Sequence, residues 1–269
     1  MSLRRRTLFS IAALALAACS SESSLRPGPI TAPDASNASS TGLAMRLAHA
    51  KVCPSAARGV ARCHSLVRVD DLGQPPATSG PSGYGPTDLR AAYGLASAST
   101  GGAGQTIAIV DAFDDANAEK DLAVYRSQFG LPPCTTANGC FRKVDQNGGT
   151  NYPRGNAGWA EEISLDLDMA SAICPNCKIL LVEARTNSFA NLAAAVDRAA
   201  ALGATVISNS YGGSEYSGEV NDQSHFNHAG VAITVSSGDN GFGVEFPAAS
   251  QFVTAVGNST PKQIGRAHV

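Results

Sequence analysis

Two acidic side chains, Glu162 and Asp166, lie four residues apart in the segment from Gly158 to Cys177. The spacing of apolar residues in this segment predicts a helix that Pro175 ends. Residues four apart project from the same helix face, so the two carboxylates repel each other when both are ionised. Among apolar residues a shared proton relieves this repulsion and raises one apparent pKa. The pair is therefore a candidate proton-transfer device for acidic pH, and the alternative is a solvated acidic helix face.

The composition narrows the class of protein that carries this pair. The chain has 269 residues, 43% of them hydrophobic, which is enough for one sizeable core. Its formal net charge is −2, and the sequence has no basic cluster beyond the N-terminus. These features argue against nucleic acid as a partner.

The N-terminus has the pattern of an export signal in residues 1–18. Three arginines precede an apolar run from Leu8 to Ala18, which is short for a membrane span and typical of a signal peptide. The run ends at Cys19 in a sequence that resembles the bacterial lipobox. This resemblance implies a lipid on Cys19 and attachment to a membrane surface of the bacterial cell envelope. The alternative is an ordinary secretory signal with an incidental cysteine and an extracellular protein.

Residues 19–83 are rich in Ser, Ala, Pro and Gly and lack sustained periodicity, so we expect a flexible tether or linker there. Six further cysteines are an even number in an exported chain, which favours disulfides. The simplest connectivity joins the three local pairs. The alternatives for the Cys-x-x-Cys pair at 174 and 177 are a redox pair or half of a zinc site. The three local pairs are Cys53 with Cys63, Cys134 with Cys140, and Cys174 with Cys177.

From Tyr84 onward, apolar strands alternate with helices. This order predicts an α/β fold with a parallel sheet that is covered by helices on both faces. The predicted strands are Gln105–Asp111, Lys178–Val182, Thr205–Ser208, Val231–Ser236 and Phe252–Val256. Besides the acidic helix, the predicted helices are Asp88–Leu95, Ala116–Phe129, Asn187–Leu202 and Gly218–Gly230.

Polar residues follow three of the predicted strands, at Asp111, at Ser208–Gly213 and at Ser236–Gly241. Ligands on parallel sheets gather at the carboxyl ends of strands, so we expect the acidic helix to pack close to one of these places. The strand that ends at Asp111 resembles the aspartate strand of subtilisin. A Ser-His-Asp site also needs a histidine after that strand, and none lies between Asp111 and Thr205. Glu162 occupies the helix where that histidine would lie.

Five segments in order resemble the sedolisin family, the serine-carboxyl peptidases that share the subtilisin fold. They are Tyr84–Leu95, Gly158–Asp166, Val206–Gly213, Ser236–Gly241 and Phe246–Ala248. The resemblance implies an exported serine-type endopeptidase that hydrolyses proteins or peptides at acidic pH through glutamate, aspartate and serine. It also implies a subtilisin-like sheet over residues 84–263.

The resemblance assigns a role to each matching residue. Glu162 would be the general base that takes the serine proton, and Asp166 would orient it and share its proton. Asp239 would be protonated and donate a hydrogen bond to the oxyanion. The segment Ser210, Tyr211 and Gly212 would pair with the substrate as an added strand. Asp111 is expected to be structural.

The chain departs from the family pattern toward its C-terminus. No Gly-Thr-Ser motif, which carries the nucleophilic serine of the family, occurs in the 269 residues, and the family's calcium site is also missing. We therefore expect no cofactor in this chain, a sheet that is incomplete at the C-terminus, and no peptidase activity of residues 1–269 alone. Residues 264–269 read like translated sequencing adaptor, so we expect a non-native tail. Sedolisins usually carry a large folded propeptide, and we expect the linker-like residues 19–83 to be too few to form one.

A second function class remains open. A sedolisin scaffold without chemistry would be a surface-anchored, non-catalytic protein that binds peptides along Ser210–Gly212. A Gly-Thr-Ser reading frame in the downstream DNA would favour the peptidase, and a true stop codon would favour the binding protein.

Overall fold

A computed structural model describes residues 48–70, 72–75, 83–96 and 100–257 of the chain. All of them belong to one compact unit, Arg46–Val269. The signal peptide, the lipid site at Cys19 and the tail at 264–269 lie outside the described residues and stay predictions. None of the helices in the described part has the length and apolar character needed to span a bilayer.

A six-stranded parallel sheet organises the molecule. Its strand order is β10-β9-β7-β4-β6-β5, so β4, the strand that contains Asp111, is near the middle of the sheet. The strands are β4 (Thr106–Ala112), β5 (Phe141–Asp145), β6 (Lys178–Ala184), β7 (Val206–Asn209), β9 (Ala232–Ser236) and β10 (Thr254–Val256). Four short strands of the described residues lie outside this sheet. The strands β1 (Ala48–Lys51), β2 (Arg62–Cys63) and β3 (Leu66–Val69) precede it in the chain, and β8 (Tyr211–Gly212) pairs with β2.

Helices cover both faces of the sheet, as predicted. Alternate residues of β4 point to opposite sides, so Val110 packs in the core that includes α4, and Ile109 packs in the core that includes α2 and α3. Continuous apolar strands are typical of parallel sheets because both of their faces are buried. The helices are α1 (Pro86–Ala92), α2 (Ala118–Gln128), α3 (Ala157–Ile173), α4 (Phe189–Ala201) and the single turn α5 (Glu219–Asp222).

The acidic helix, α3, forms where the sequence predicts it. The side chain of Asn156 caps its start by accepting a hydrogen bond from the backbone N–H of Trp159. Ile163 and Leu167, four residues apart, are fully buried and fix one face of the helix against the sheet. Glu162 is next to Ile163 and is also buried, with 2% of its surface exposed. The helix register therefore carries Glu162 into the interior and does not leave it on a solvated face.

The structure corrects the expected linker for residues 48–70. Strands β1 and β3 form an antiparallel pair, and β2 pairs antiparallel with β8. Ala61 and Cys63 are fully buried, which a flexible tether does not provide. The sequence gives little sign of this, because β2 has only two residues and its pairing partner lies about 150 residues away.

The three local disulfides are present: Cys53–Cys63, Cys134–Cys140 and Cys174–Cys177. Two further differences concern elements. Strand β5 was not predicted, and the expected helix Gly218–Gly230 is instead the turn α5 followed by a 3-10 helix, Gln223–Phe226.

Candidate functional site

A cleft of about 320 Å³ lies where α3 faces the carboxyl ends of β7 and β9. It brings together four of the residues expected to act in one site: Glu162, Asp166, Ser210 and Asp239. The prediction that the acidic helix packs against the polar strand ends is therefore confirmed in its geometry. The other residues that line the cleft are His64, Ser65, Leu66, Leu165, Met169, Ser236, Ser237, Gly238 and Val256.

Glu162 and Asp166 both line this cleft, as two neighbouring carboxyls about one turn apart on α3. The Oε2 atom of Glu162 accepts the backbone N–H of Ser65 at 2.6 Å, and Oδ1 of Asp166 accepts the Ser210 hydroxyl at 2.8 Å. Burial raises the pKa of both carboxyls, and the charge of Asp166 raises the pKa of Glu162 further. These effects favour one proton shared by the pair over two charges. The pair can therefore accept and return a proton.

Asp111 extends this buried acidic cluster from the end of β4. It is fully buried, and neither of its carboxyl oxygens has a hydrogen-bond partner among the described residues. Burial first, and then the charges of Asp166 and Glu162, raise its pKa well above the usual value. A neutral Asp111 beneath the pair is compatible with the structural role expected from its sequence position.

Asp239 is held by a buried cation that the sequence analysis did not single out. Its Oδ2 atom accepts a hydrogen bond from Nη1 of Arg62 at 2.9 Å, and Nη2 of Arg62 lies 3.4 Å from Oε1 of Glu245. Here Asp239 is an acceptor, whereas the role expected from the resemblance needs it as a protonated donor. That donor role stays a prediction for a state in which the guanidinium is gone.

His64 lines the cleft and contacts Ser236, which also lines it, and Glu245. Its Nδ1 atom is 2.6 Å from the Ser236 hydroxyl, and its Nε2 atom is 3.1 Å from Oε2 of Glu245. Burial lowers the pKa of the imidazole, although the hydrogen bond with Glu245 opposes this effect. Sites with a serine nucleophile have the same arrangement, in which a neutral imidazole lies between the serine hydroxyl and a carboxylate.

The edge formed by Tyr211 and Gly212 already pairs with a strand of the same chain. Arg62 faces Gly212, Cys63 faces Tyr211, and the N–H of His64 donates to the Ser210 carbonyl at 3.0 Å. A Cβ atom on Gly212 would lie 2.9 Å from atoms of Glu245 and His64, so the close approach of this strand needs glycine. The edge can therefore pair with a peptide strand, and residues 62–64 occupy it.

Sequence reasoning missed Arg62, His64, Ser65, Ser236 and Glu245 as site residues. The disulfide predicted between Cys53 and Cys63 was the sequence feature that could have indicated the residues near it, because a covalent link within this segment argues against a flexible linker. In the part of the chain that is described, no group of three or more His, Cys, Asp or Glu side chains is placed to hold a metal ion.

Comparisons with known proteins give one family match and several structural neighbours. Residues 148–265 match the model of the subtilase family. A search of curated proteins finds no match. Among solved structures, Pseudomonas sedolisin, a serine-carboxyl proteinase complexed with pseudo-iodotyrostatin, superposes with a TM-score of 0.54 at 22% identity over 66% of this chain. Fervidolysin from Fervidobacterium pennivorans, a keratinolytic enzyme related to subtilisin, gives 0.39 at 18% identity, over 61% of this chain and 26% of its own.

The match with sedolisin spans only 54% of the sedolisin chain, so this sequence corresponds to about half of that protein. The chain thus has a subtilisin-like fold like that of sedolisin, and its residues 148–265 are similar in sequence to the subtilase family.

Proposed function

We propose that these residues belong to a serine-carboxyl peptidase that hydrolyses peptide bonds at acidic pH. The observation that carries the proposal is the contact between Oε2 of Glu162 and the backbone N–H of Ser65 at 2.6 Å. In this contact a buried carboxyl lies beside an amide of the segment that pairs with the Tyr211–Gly212 edge. A peptidase needs its proton carrier at this position, close to the amide nitrogen that will leave.

In the proposed mechanism, Glu162 removes the proton of a serine hydroxyl while the serine oxygen attacks the peptide carbonyl carbon. Glu162 then returns the proton to the amine that leaves as the C–N bond breaks, and water hydrolyses the acyl-enzyme in a second step. Asp166 holds Glu162 in place and takes a share of its proton. The Gly-Thr-Ser motif is absent from the 269 residues, so the proposal takes the serine from native sequence that would follow residue 263.

Glu162 can be tested against its neighbour on the same helix. Protein expressed from the gene with its downstream sequence is expected to hydrolyse an unfolded protein substrate at acidic pH. Replacing the base by its amide, Glu162→Gln, should reduce kcat by about 1,000-fold, because general base catalysis contributes roughly 10²–10⁴-fold. Glu161→Gln is the matched control: Glu161 is exposed one position away, and its replacement should leave kcat within about twofold.

Equal loss of activity in both variants, or no loss in Glu162→Gln, would contradict the proposed base. If the longer protein binds peptides without hydrolysing them, the non-catalytic binding protein is the correct function.

A second candidate rests on the contacts of His64. Ser236, His64 and Glu245 have the order of nucleophile, base and orienting acid, with distances of 2.6 and 3.1 Å. All three residues lie within this chain, so this site predicts hydrolysis by residues 1–269 alone. Against it, His64 belongs to the strand that fills the peptide edge, so a peptide cannot pair there while His64 stays in place.

A further inference from the structure

Glu183, near the end of β6, is a fully buried carboxyl that does not line the peptide cleft. Its Oε1 atom accepts the backbone N–H of Asp115 at 2.9 Å and lies 3.0 Å from Nζ of Lys143. Its Oε2 atom has no hydrogen-bond partner among the described residues. A buried polar atom without a partner is costly, so this oxygen indicates a ligand that is not part of the chain.

A cavity of about 120 Å³ lies beside Glu183, at the carboxyl ends of β5 and β6. Asp115 and Lys143, which hold Oε1, do not line this cavity, so Oε2 is the oxygen on its side. Arg185 also lines the cavity, but it is exposed, so its guanidinium can extend into water. Besides Glu183, the oxygen-bearing side chains around the cavity are Asp145, Gln146, Asn147, Asn151 and Tyr152.

Carboxylate and amide oxygens are the ligands that calcium prefers in proteins, and it takes about six to eight of them, including water. Zinc prefers nitrogen and sulfur ligands, and no Cys or His is among the described residues that line this cavity. The chemistry of the lining side chains therefore favours calcium.

The loop that follows β5 is arranged around the carboxyl of Asp145. Its Oδ1 atom accepts the backbone N–H of Asn147 at 2.7 Å and that of Gly149 at 3.0 Å, and its Oδ2 atom accepts the N–H of Asn151 at 2.8 Å. These bonds fix the positions of the two asparagines that line the cavity. One short loop can therefore offer several oxygen atoms to one ion, as the calcium loops of other proteins do.

The charges around the cavity also favour a cation. Asp115, Asp145 and Glu183 are buried, and the side chain of Asp114 is 17% exposed. Lys143 contacts Asp114 and Glu183, but its single positive charge does not balance four carboxylates. Buried charges in proteins are paired or bind metal ions, so a divalent cation would complete the balance.

We propose that Glu183, Asp145 and the amide oxygens of Asn147 and Asn151 bind one calcium ion outside the peptide cleft. The ion would join the loop after β5 to the end of β6. This site differs from the calcium site of the sedolisin family, for which the 269 residues have no matching segment. The inference does not depend on the proposed function, because none of the four residues lines the cleft.

The test is a calorimetric titration of the full chain with calcium chloride, after a chelator has removed bound metal. Burial raises the pKa of Glu183 to about 8, so the titration is made at pH 8.5, where the ion displaces little proton. One ion per chain should bind with a Kd of about 10⁻⁴–10⁻³ M, and magnesium should bind at least about tenfold more weakly. If calcium shows no saturable binding, a buried water satisfies Oε2 and the proposal is overturned.

Three variants locate the bound ion. Glu183→Gln keeps the shape of the side chain and removes its charge, so the Kd should rise by at least about tenfold. Asn151→Asp adds a charged ligand at an exposed position, so the Kd should fall by about tenfold. Glu161→Gln, at an exposed position of α3, is the control and should leave the Kd within about twofold. If Glu183→Gln does not fold, Asn151→Asp decides alone, and an unchanged Kd in that variant would overturn the site.

Deuterium exchange gives a second, local measurement. The amides of Asn147, Gly149 and Asn151 donate to Asp145, so calcium should slow their exchange by about fivefold or more. Binding of calcium without slower exchange in this loop would place the ion elsewhere and contradict the proposal.

Discussion

At the scale of single residues, the proposed mechanism depends on which side chain in the cleft takes the proton of the nucleophile. The carboxyl of Glu162 accepts the backbone N–H of Ser65, and the carboxyl of Asp166 accepts the hydroxyl of Ser210. His64 is the alternative to Glu162 as the general base, because its ring contacts both Ser236 and Glu245. The two possibilities differ in what the 269 residues can do alone, since only the His64 site is complete within them.

We expect residues 1–269 to show no hydrolysis of a peptide or of an activated ester above background between acidic and neutral pH. The variant His64→Ala should behave in the same way, because the ring serves to seat the internal strand. The measurement is release of a chromophore from a nitrophenyl ester and of acid-soluble peptide from casein. Hydrolysis by the unaltered chain that His64→Ala reduces by about 1,000-fold would instead assign catalysis to His64.

At the scale of elements, α3 must keep its register for Glu162 to face the cleft. The C-terminal half of α3 is tied to α2 by Arg126, a side chain with only 1% of its residue surface exposed. Its Nη1 atom donates to the Ser171 hydroxyl at 2.9 Å, and its Nη2 atom donates to the Pro175 carbonyl at 2.7 Å. This buried cation connects two helices through neutral oxygen atoms, so the helices depend on it for their relative position.

Removing the side chain of Arg126 should lower the free energy of unfolding. Arg126→Ala leaves buried acceptors unpaired and creates a cavity, so the free energy of unfolding should fall by about 3 kcal/mol or more. Arg142→Ala, at an exposed position of β5, is the control and should change it by less than about 0.5 kcal/mol. Urea unfolding monitored by circular dichroism gives both values, and a loss below about 1 kcal/mol for Arg126→Ala would contradict the connection.

At the scale of the whole molecule, the sequence predicted the sheet, the helices on both faces and the convergence of Glu162, Asp166, Ser210 and Asp239. The helices follow from the periodicity of their apolar residues, and the strands follow from their continuous apolar runs. The resemblance to sedolisin predicted which segments come together at the site. The sequence did not predict that His64 lines the cleft or that Arg62 contacts Asp239 beside it. That arrangement depends on a two-residue strand paired with a distant edge and on the final positions of Asp239 and Glu245, which no local pattern encodes.

The buried acid pair also makes the stability of the whole molecule depend on pH. Burial raises the pKa of Glu162 and of Asp166 in the folded chain. In the unfolded chain such carboxyls titrate near pH 4. The folded state therefore holds protons that the unfolded state has already lost, and this contribution to stability is complete below about pH 4 and is lost as pH rises through the raised values.

The most direct measurement is the free energy of unfolding from pH 4 to pH 8, compared between the unaltered chain and Glu162→Gln. The variant keeps the shape of the side chain and removes its titration, so the difference between the two curves isolates the pair from other carboxyls. A buried pair that shares a proton predicts that the unaltered chain loses stability with rising pH more steeply than the variant, by about 1 kcal/mol or more over this range. Parallel curves would mean that Glu162 titrates as a solvated carboxyl, and this result would contradict the account.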